Sequence, residues 1–169
     1  IKLDYRDPKI LAIASEVISK RLSYLEVAAL YELGEVAKNT EKNGLQGVIV
    51  ETGCALGGSS IVLAAAKAKH RQLLCYDVFG TIPSPSKNDA AAAHERYRVI
   101  VSEESSGIEG DQYYGYIENL YDQVVDNFYS FGFELDKHSI TLIKGLYEET
   151  LNTNMPVALA HIDCDWYES

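Results

Sequence analysis

Val48-Ile49-Val50-Glu51-Thr52-Gly53-Cys54-Ala55-Leu56-Gly57-Gly58-Ser59 joins an unbroken apolar run to a glycine-rich turn. Val48 to Val50 has the pattern of a strand buried on both faces of a parallel sheet. The strand is read from Gly47 to Thr52. After the turn, Ile61 to Lys69 reads as helix. Leu73-Leu74-Cys75-Tyr76-Asp77 reads as the next strand. Strand, turn, helix and strand occupy about 30 residues, the size of one βαβ unit with a right-handed crossover.

Toward the N-terminus, residues 8 to 40 read as helix. Pro8 suits a first turn, and Ile10, Ile13, Val17 and Ile18 follow at helical spacing. Ser23 with Glu26 has capping-box spacing, which predicts a second helix from about 24 to 39. Asn43-Gly44 marks a turn. Toward the C-terminus, Pro83, Ser84, Pro85 and Ser86 interrupt the pattern. Asn88 to Val101 reads as helix, and Ser105-Ser106-Gly107 and Glu109-Gly110-Asp111 read as loop. Residues 80 to 115 thus form a long insertion, of the kind that serves as a lid or binding loop. Tyr116 to Phe131 reads as helix, Ile140 to Ile143 as a third strand, Leu146 to Leu151 as a short helix and Val157 to Ile162 as a fourth strand. Alternating strands and helices imply an α/β fold with a mostly parallel sheet and helices on both faces. Residues 1–45 are expected to pack as helices on a core domain at 46–169.

Composition narrows the function. The 169 residues carry a net charge of −10, with 25 acidic against 15 basic side chains. Phosphate backbones require clustered Lys and Arg, so nucleic acid is not an expected partner. Lys67, Lys69, His70 and Arg71 read as a solvated helix end. No apolar run reaches about 18 residues, so no membrane span is expected, and no signal-peptide pattern is present. Cys54, Cys75 and Cys164 lack metal or disulfide spacing and read as reduced thiols of a cytoplasmic protein. A homo-oligomer stays open. The chain begins at Ile1 and stops at Ser169, just after a strand-like run, so it reads as part of a longer protein whose last strands lie beyond it.

The turn narrows the ligand. G-x-G-x-x-G is absent because position 55 is Ala, and G-x-x-x-x-G-K-[ST] is absent because Ser59 follows Gly58. An acidic residue at 51 would repel a pyrophosphate and suits a cationic ligand. S-adenosylmethionine carries an ammonium and a sulfonium. Asp77 ends the second strand, where a carboxylate can accept both ribose hydroxyls. The competing reading is a tight βα turn whose carboxylates cap helices. Asp163 and Asp165 end the fourth strand two residues apart and would point the same way in extended geometry. Such a pair suits Mg²⁺, which takes one or two carboxylates and keeps positions for substrate oxygens; equally, both fit as loop or cap residues. His161 reads as a packed, hydrogen-bonded histidine as readily as a catalytic one.

Val50-Glu51-Thr52-Gly53, Gly57-Gly58-Ser59, Lys144-Gly145 with Thr150-Leu151, and above all His161-Ile162-Asp163-Cys164-Asp165-Trp166-Tyr167-Glu168-Ser169 resemble the macrocin O-methyltransferase (TylF-type) family from about residue 46 onward. The family usually has Gly at the place of Cys164 and an apolar residue such as Leu at that of Trp166. The resemblance implies a Rossmann-like class I methyltransferase fold. It implies metal-dependent transfer of a methyl group from S-adenosylmethionine to the hydroxyl of a small molecule, a sugar in known members. It makes Asp163 a Mg²⁺ ligand and Asp165 the general base. It assigns Glu51, Thr52, Gly53, Gly57, Ser59 and Asp77 to the cofactor. The family's other metal ligands are an Asp-Asp pair on a further strand, outside this sequence. Tyr113, Tyr114 and Tyr116 of the insertion become candidates to face the acceptor. A cofactor-binding module without chemistry and a nicotinamide-dependent oxidoreductase are the rival readings; the missing G-x-G-x-x-G weighs against the second.

Overall fold

The computed structural model describes residues 7–166. Tyr167, Glu168 and Ser169 of the C-terminal motif lie outside them. The helices are α1 (Pro8–Ser19), α2 (Val27–Lys42), α3 (Gly58–Ala66), α4 (Ala91–Val101), α5 (Leu120–Ser130) and α6 (Tyr147–Thr150). The strands are β1 (Val48–Thr52), β2 (Leu73–Asp77), β3 (Ile140–Lys144) and β4 (Val157–Ile162). They form one sheet in the order β3-β2-β1-β4, and every neighbouring pair is parallel. The chain steps outward from β1 to β3, then returns to place β4 on β1's other side. That reversal is a topological switch point, and in open α/β sheets ligands bind there, off the carboxyl ends of the strands.

The pleat sorts the core into two. Ile49, Leu73, Cys75, Ile140 and Leu142 share a face through the register and join Ile10, Val17, Leu30, Ile61, Leu120 and Phe128 in one cluster. Helices α1, α2, α3 and α5 therefore cover this face. On the opposite face, Val48, Val50, Leu74 and Tyr76 pack with Ile143 and with Tyr147 of α6. Among the described residues, no helix is long and apolar enough to cross a membrane.

Local chemistry explains most element boundaries. Asp7 caps α1 by accepting the N–H groups of Lys9 and Ile10, at 2.9 and 3.1 Å, and Pro8 fills the first turn. The capping box expected from Ser23 and Glu26 does not form. Ser23 Oγ instead accepts the Leu25 N–H at 3.1 Å, Glu26 itself becomes the residue before the helix, and α2 starts at Val27. Helix α3 starts at Gly58, three residues earlier than its apolar pattern suggests. Gly57 lies in the left-handed region at φ 88° and turns the chain straight into the helix. A side chain at Gly58 would strike the Leu22 carbonyl, which accepts the Gly58 N–H at 3.1 Å.

The basic cluster after α3 is not uniformly solvated. Lys69 and His70 are exposed, but Lys67 and Arg71 are drawn inward. Arg71 donates to Glu41 and to the carbonyls of Leu45 and Gly47, closing the start of β1 against α2. Lys67 Nζ donates to the His138 carbonyl at 2.6 Å. Burying an ammonium is costly, and burial lowers its pKa to about 8 although the Glu41 carboxylate opposes the shift. The unfolded chain holds that proton up to about 10.4. Between these values the unfolded state binds more protons, so this group's contribution to stability rises with pH. The stability of the native sequence relative to Lys67→Met should therefore increase from pH 8 to pH 10 by on the order of 2 kcal/mol in urea unfolding. A difference that stays flat across that range would show that the ammonium is hydrated.

Candidate functional site

The carboxyl ends of β1, β2 and β4 open into a cleft of about 530 Å³, a volume that suits a small-molecule or cofactor site. The turn after β1 supplies Gly53 and Ala55, and β2 supplies Asp77. The segment after β4 supplies Asp163, Asp165 and Trp166. The insertion adds Arg96, Tyr113 and Tyr114, and Tyr147 comes from α6. Four of the eight site residues expected from sequence thus meet in one cleft: Gly53, Asp77, Asp163 and Asp165. Glu51, Thr52, Gly57 and Ser59 are not part of the lining.

The turn holds an unusual backbone. Gly53, Ala55 and Gly57 all have positive φ, at 84°, 46° and 88°. Ala55 pays a steric cost that glycine would not. Asp77 offsets it. One carboxylate oxygen accepts the Ala55 N–H at 2.9 Å, and the other accepts the N–H of Phe79, itself at φ 45°, at 2.8 Å. A single carboxylate therefore braces the turns after β1 and β2. Burial raises the Asp77 pKa, and these two N–H donors oppose the rise. Each oxygen keeps further acceptor capacity, and Asp77 lines the cleft.

Gly53 also sets the spacing to β4. A Cβ at that position would strike the Asp163 carbonyl oxygen. Without one, Asp163 N–H reaches the Thr52 carbonyl at 3.1 Å, and the strand end that carries Asp163 and Asp165 closes onto the turn. Thr52 Oγ1 lies 3.1 Å from Cys164 Sγ at the same junction. Asp165 is exposed at the cleft; partial desolvation raises its carboxyl pKa, the negative charge of Asp163 adds to the rise, and the Arg96 guanidinium opposes both. Among the described residues, no three His, Cys, Asp or Glu side chains gather as a metal cluster.

Glu51 is wholly buried. The parallel register sets His161 beside it, and His161 Nδ1 is 2.9 Å from Glu51 Oε1. Ser60 of α3 donates to the other oxygen. The hydrogen bond to Glu51 raises the His161 pKa against the effect of burial. His161 therefore takes the packed, hydrogen-bonded role of its two readings. The insertion tyrosines divide. Tyr113 and Tyr114 line the cleft, whereas Tyr116 ties the insertion together: its hydroxyl donates to the Ile100 carbonyl at 2.6 Å and accepts the Ser105 N–H at 3.2 Å. Burial pushes the Tyr114 hydroxyl up, so it stays a donor at neutral pH. Ser60, Arg96 and Tyr147 escaped the sequence reading, because no spacing rule links them to the turn.

The model of the macrocin-O-methyltransferase (TylF) family matches residues 19–169. No curated protein sequence matches the chain. The fold is similar to that of the O-methyltransferase NovP, with a TM-score of 0.68 at 16% identity over 92% of this chain and 69% of that one. It is also similar to CalS11, a calicheamicin methyltransferase, with a TM-score of 0.57 at 14% identity over 99% of this chain and 74% of the other.

The brace by Asp77 has a direct consequence. In Asp77→Asn the amide nitrogen would face a backbone N–H, and one turn would lose its acceptor. We expect a loss of about 1–3 kcal/mol in urea unfolding, together with weaker S-adenosylmethionine binding by calorimetry. An unchanged unfolding midpoint would rule out the brace.

Proposed function

The chain belongs to the macrocin-O-methyltransferase (TylF) family, and on that premise we propose Mg²⁺-assisted methylation of a hydroxyl on a sugar or another natural-product intermediate. Family membership makes it an S-adenosylmethionine-dependent O-methyltransferase. The observation that carries the finer reading is that Asp163 and Asp165 face the same cleft as Gly53 and Asp77.

In this reading Gly53 gives the cofactor a close approach to the backbone, and the free lone pairs of Asp77 take the ribose hydroxyls. Gly57 shapes the turn itself, and Glu51, Thr52 and Ser59 support it from β1 and α3. Tyr24, Tyr113, Tyr114 and Trp166 offer aromatic surface for the ring of an acceptor. The description of CalS11 as a calicheamicin methyltransferase supports an acceptor of natural-product type. Three free cysteines, two of them buried, support a cytoplasmic location.

The donor set for Mg²⁺ is partial and chemically apt. Asp163 and Asp165 are hard oxygen ligands, and Asp163 already raises the pKa of its neighbour. A hard cation relieves such like-charge crowding, and Mg²⁺ needs only one or two carboxylates from the protein. Asp163 would hold it, and the ion would supply charge stabilisation for an acceptor oxygen. The residues do the rest. Asp165 takes the acceptor's hydroxyl proton. The oxygen then forms its bond to the sulfonium methyl as the carbon–sulfur bond breaks, and S-adenosylhomocysteine leaves. Positioning by the turn and the aromatic walls supplies much of the acceleration.

Asp165→Asn tests this assignment. Release of S-adenosylhomocysteine in the presence of glycosylated hydroxyl acceptors should fall by on the order of 100-fold or more, while calorimetry shows unchanged S-adenosylmethionine affinity. Normal turnover in the variant would remove Asp165 from the base role. Turnover indifferent to Mg²⁺ or a chelator would remove the metal alone.

A further inference from the structure

Trp166 follows Asp165 directly and is partly buried. Its indole Nε1–H donates to the Pro83 carbonyl at 2.8 Å. Its ring packs on a small separate core formed by Ile82, Ile100 and Tyr113. Those residues come from the start, the helix and the end of the insertion, so the insertion is folded around its own cluster. Trp166 is the side chain from the β4 segment that joins this cluster. The tip of the insertion is held differently. Arg21 pairs with Glu109 at 3.0 Å and with Asp111 at 2.9 Å, both near-surface contacts of the kind that add little stability.

We propose that Trp166 is a positioning residue that fastens the insertion to the loop carrying Asp165. Covering of the cleft by the insertion and placement of the Asp165 carboxylate are then one event. The proposal takes its functional meaning from the base role given to Asp165, but the fastening stands on contacts alone. The geometry favours this over simple space-filling. An aliphatic side chain could fill the gap beside Ile82, but it would leave the Pro83 carbonyl without its donor. Asp163 is anchored through its backbone N–H to the Thr52 carbonyl. Asp165 lies two residues further on and directly precedes Trp166, whose bond to the Pro83 carbonyl is the next fixed point.

Hydrogen exchange read by mass spectrometry tests this in the absence of any acceptor. In the native sequence, peptides covering 80–101 and 157–166 should open together, with one opening free energy and one urea dependence. Trp166→Phe keeps an aromatic ring and loses the N–H. It should speed exchange in both peptides by on the order of five- to tenfold, with β1, β2 and β3 unchanged. Trp166→Leu should speed both further. Arg21→Ala should loosen only residues near 105–112. Independent opening of the two peptides in the native sequence would overturn the proposal. So would unchanged exchange in Trp166→Phe, or a joint loss of cofactor affinity and of protection across the whole sheet. A failure of methyl transfer with coupled exchange intact would count against the base role of Asp165 and leave the fastening in place.

Discussion

A carboxylate sits at the centre of the sheet with no access to water. Glu51 would be prohibitively costly there unless its oxygens were satisfied. Ser60 satisfies one from the helix above, and His161 satisfies the other from the neighbouring strand. Three elements that meet nowhere else in sequence, β1, α3 and β4, are pinned at one point. That point lies just behind the glycine turn. The path of the turn, the start of α3 and the depth of β4 against β1 all follow from it.

From this pin the cleft assembles outward. Gly53 removes the side chain that would hold β4 away, and Asp77 holds the left-handed residues of two adjacent turns. Asp163 and Asp165 then arrive beside the turn, at the place where the strand order reverses. The result is a cleft lined by the carboxylates Asp77, Asp163 and Asp165 and by aromatic side chains, with Arg96 among them. Such a cleft favours a cationic cofactor and a ring-bearing acceptor over phosphates. The chemistry of an O-methyltransferase asks for little more: a fixed sulfonium, a base near the acceptor oxygen and exclusion of water.

Much of this was legible in the sequence. The apolar run at 48–50 and the strand at 73–77 set the central βαβ unit, and Val157 to Ile162 forms the fourth strand as read. The motif from His161 to Trp166 ends β4, and its Asp163, Asp165 and Trp166 line the cleft. What stayed hidden came from contacts between distant residues. The partners of Glu51 are Ser60, two residues past Gly58, and His161, 110 residues on, and no spacing rule links the three. Lys67 and Arg71 looked solvated because helical position says nothing about Glu41 or His138 closing over them. Ser23 lost its capping role to a nearer N–H, a choice between two local bonds that spacing alone does not rank. The bond from Trp166 to Pro83 spans 83 residues and has no sequence signature.

A crystal structure of the chain with S-adenosylhomocysteine bears on the whole assembly at once. The thioether sulfur is expected inside the cleft, between the Gly53 turn and Asp165, with the ribose hydroxyls at Asp77 and the Glu51–Ser60–His161 contacts intact. A nucleoside bound elsewhere, with the cleft empty, would contradict the site. A ligand salt-bridged to Glu51 after loss of its Ser60 and His161 bonds would contradict the role given to the buried pin.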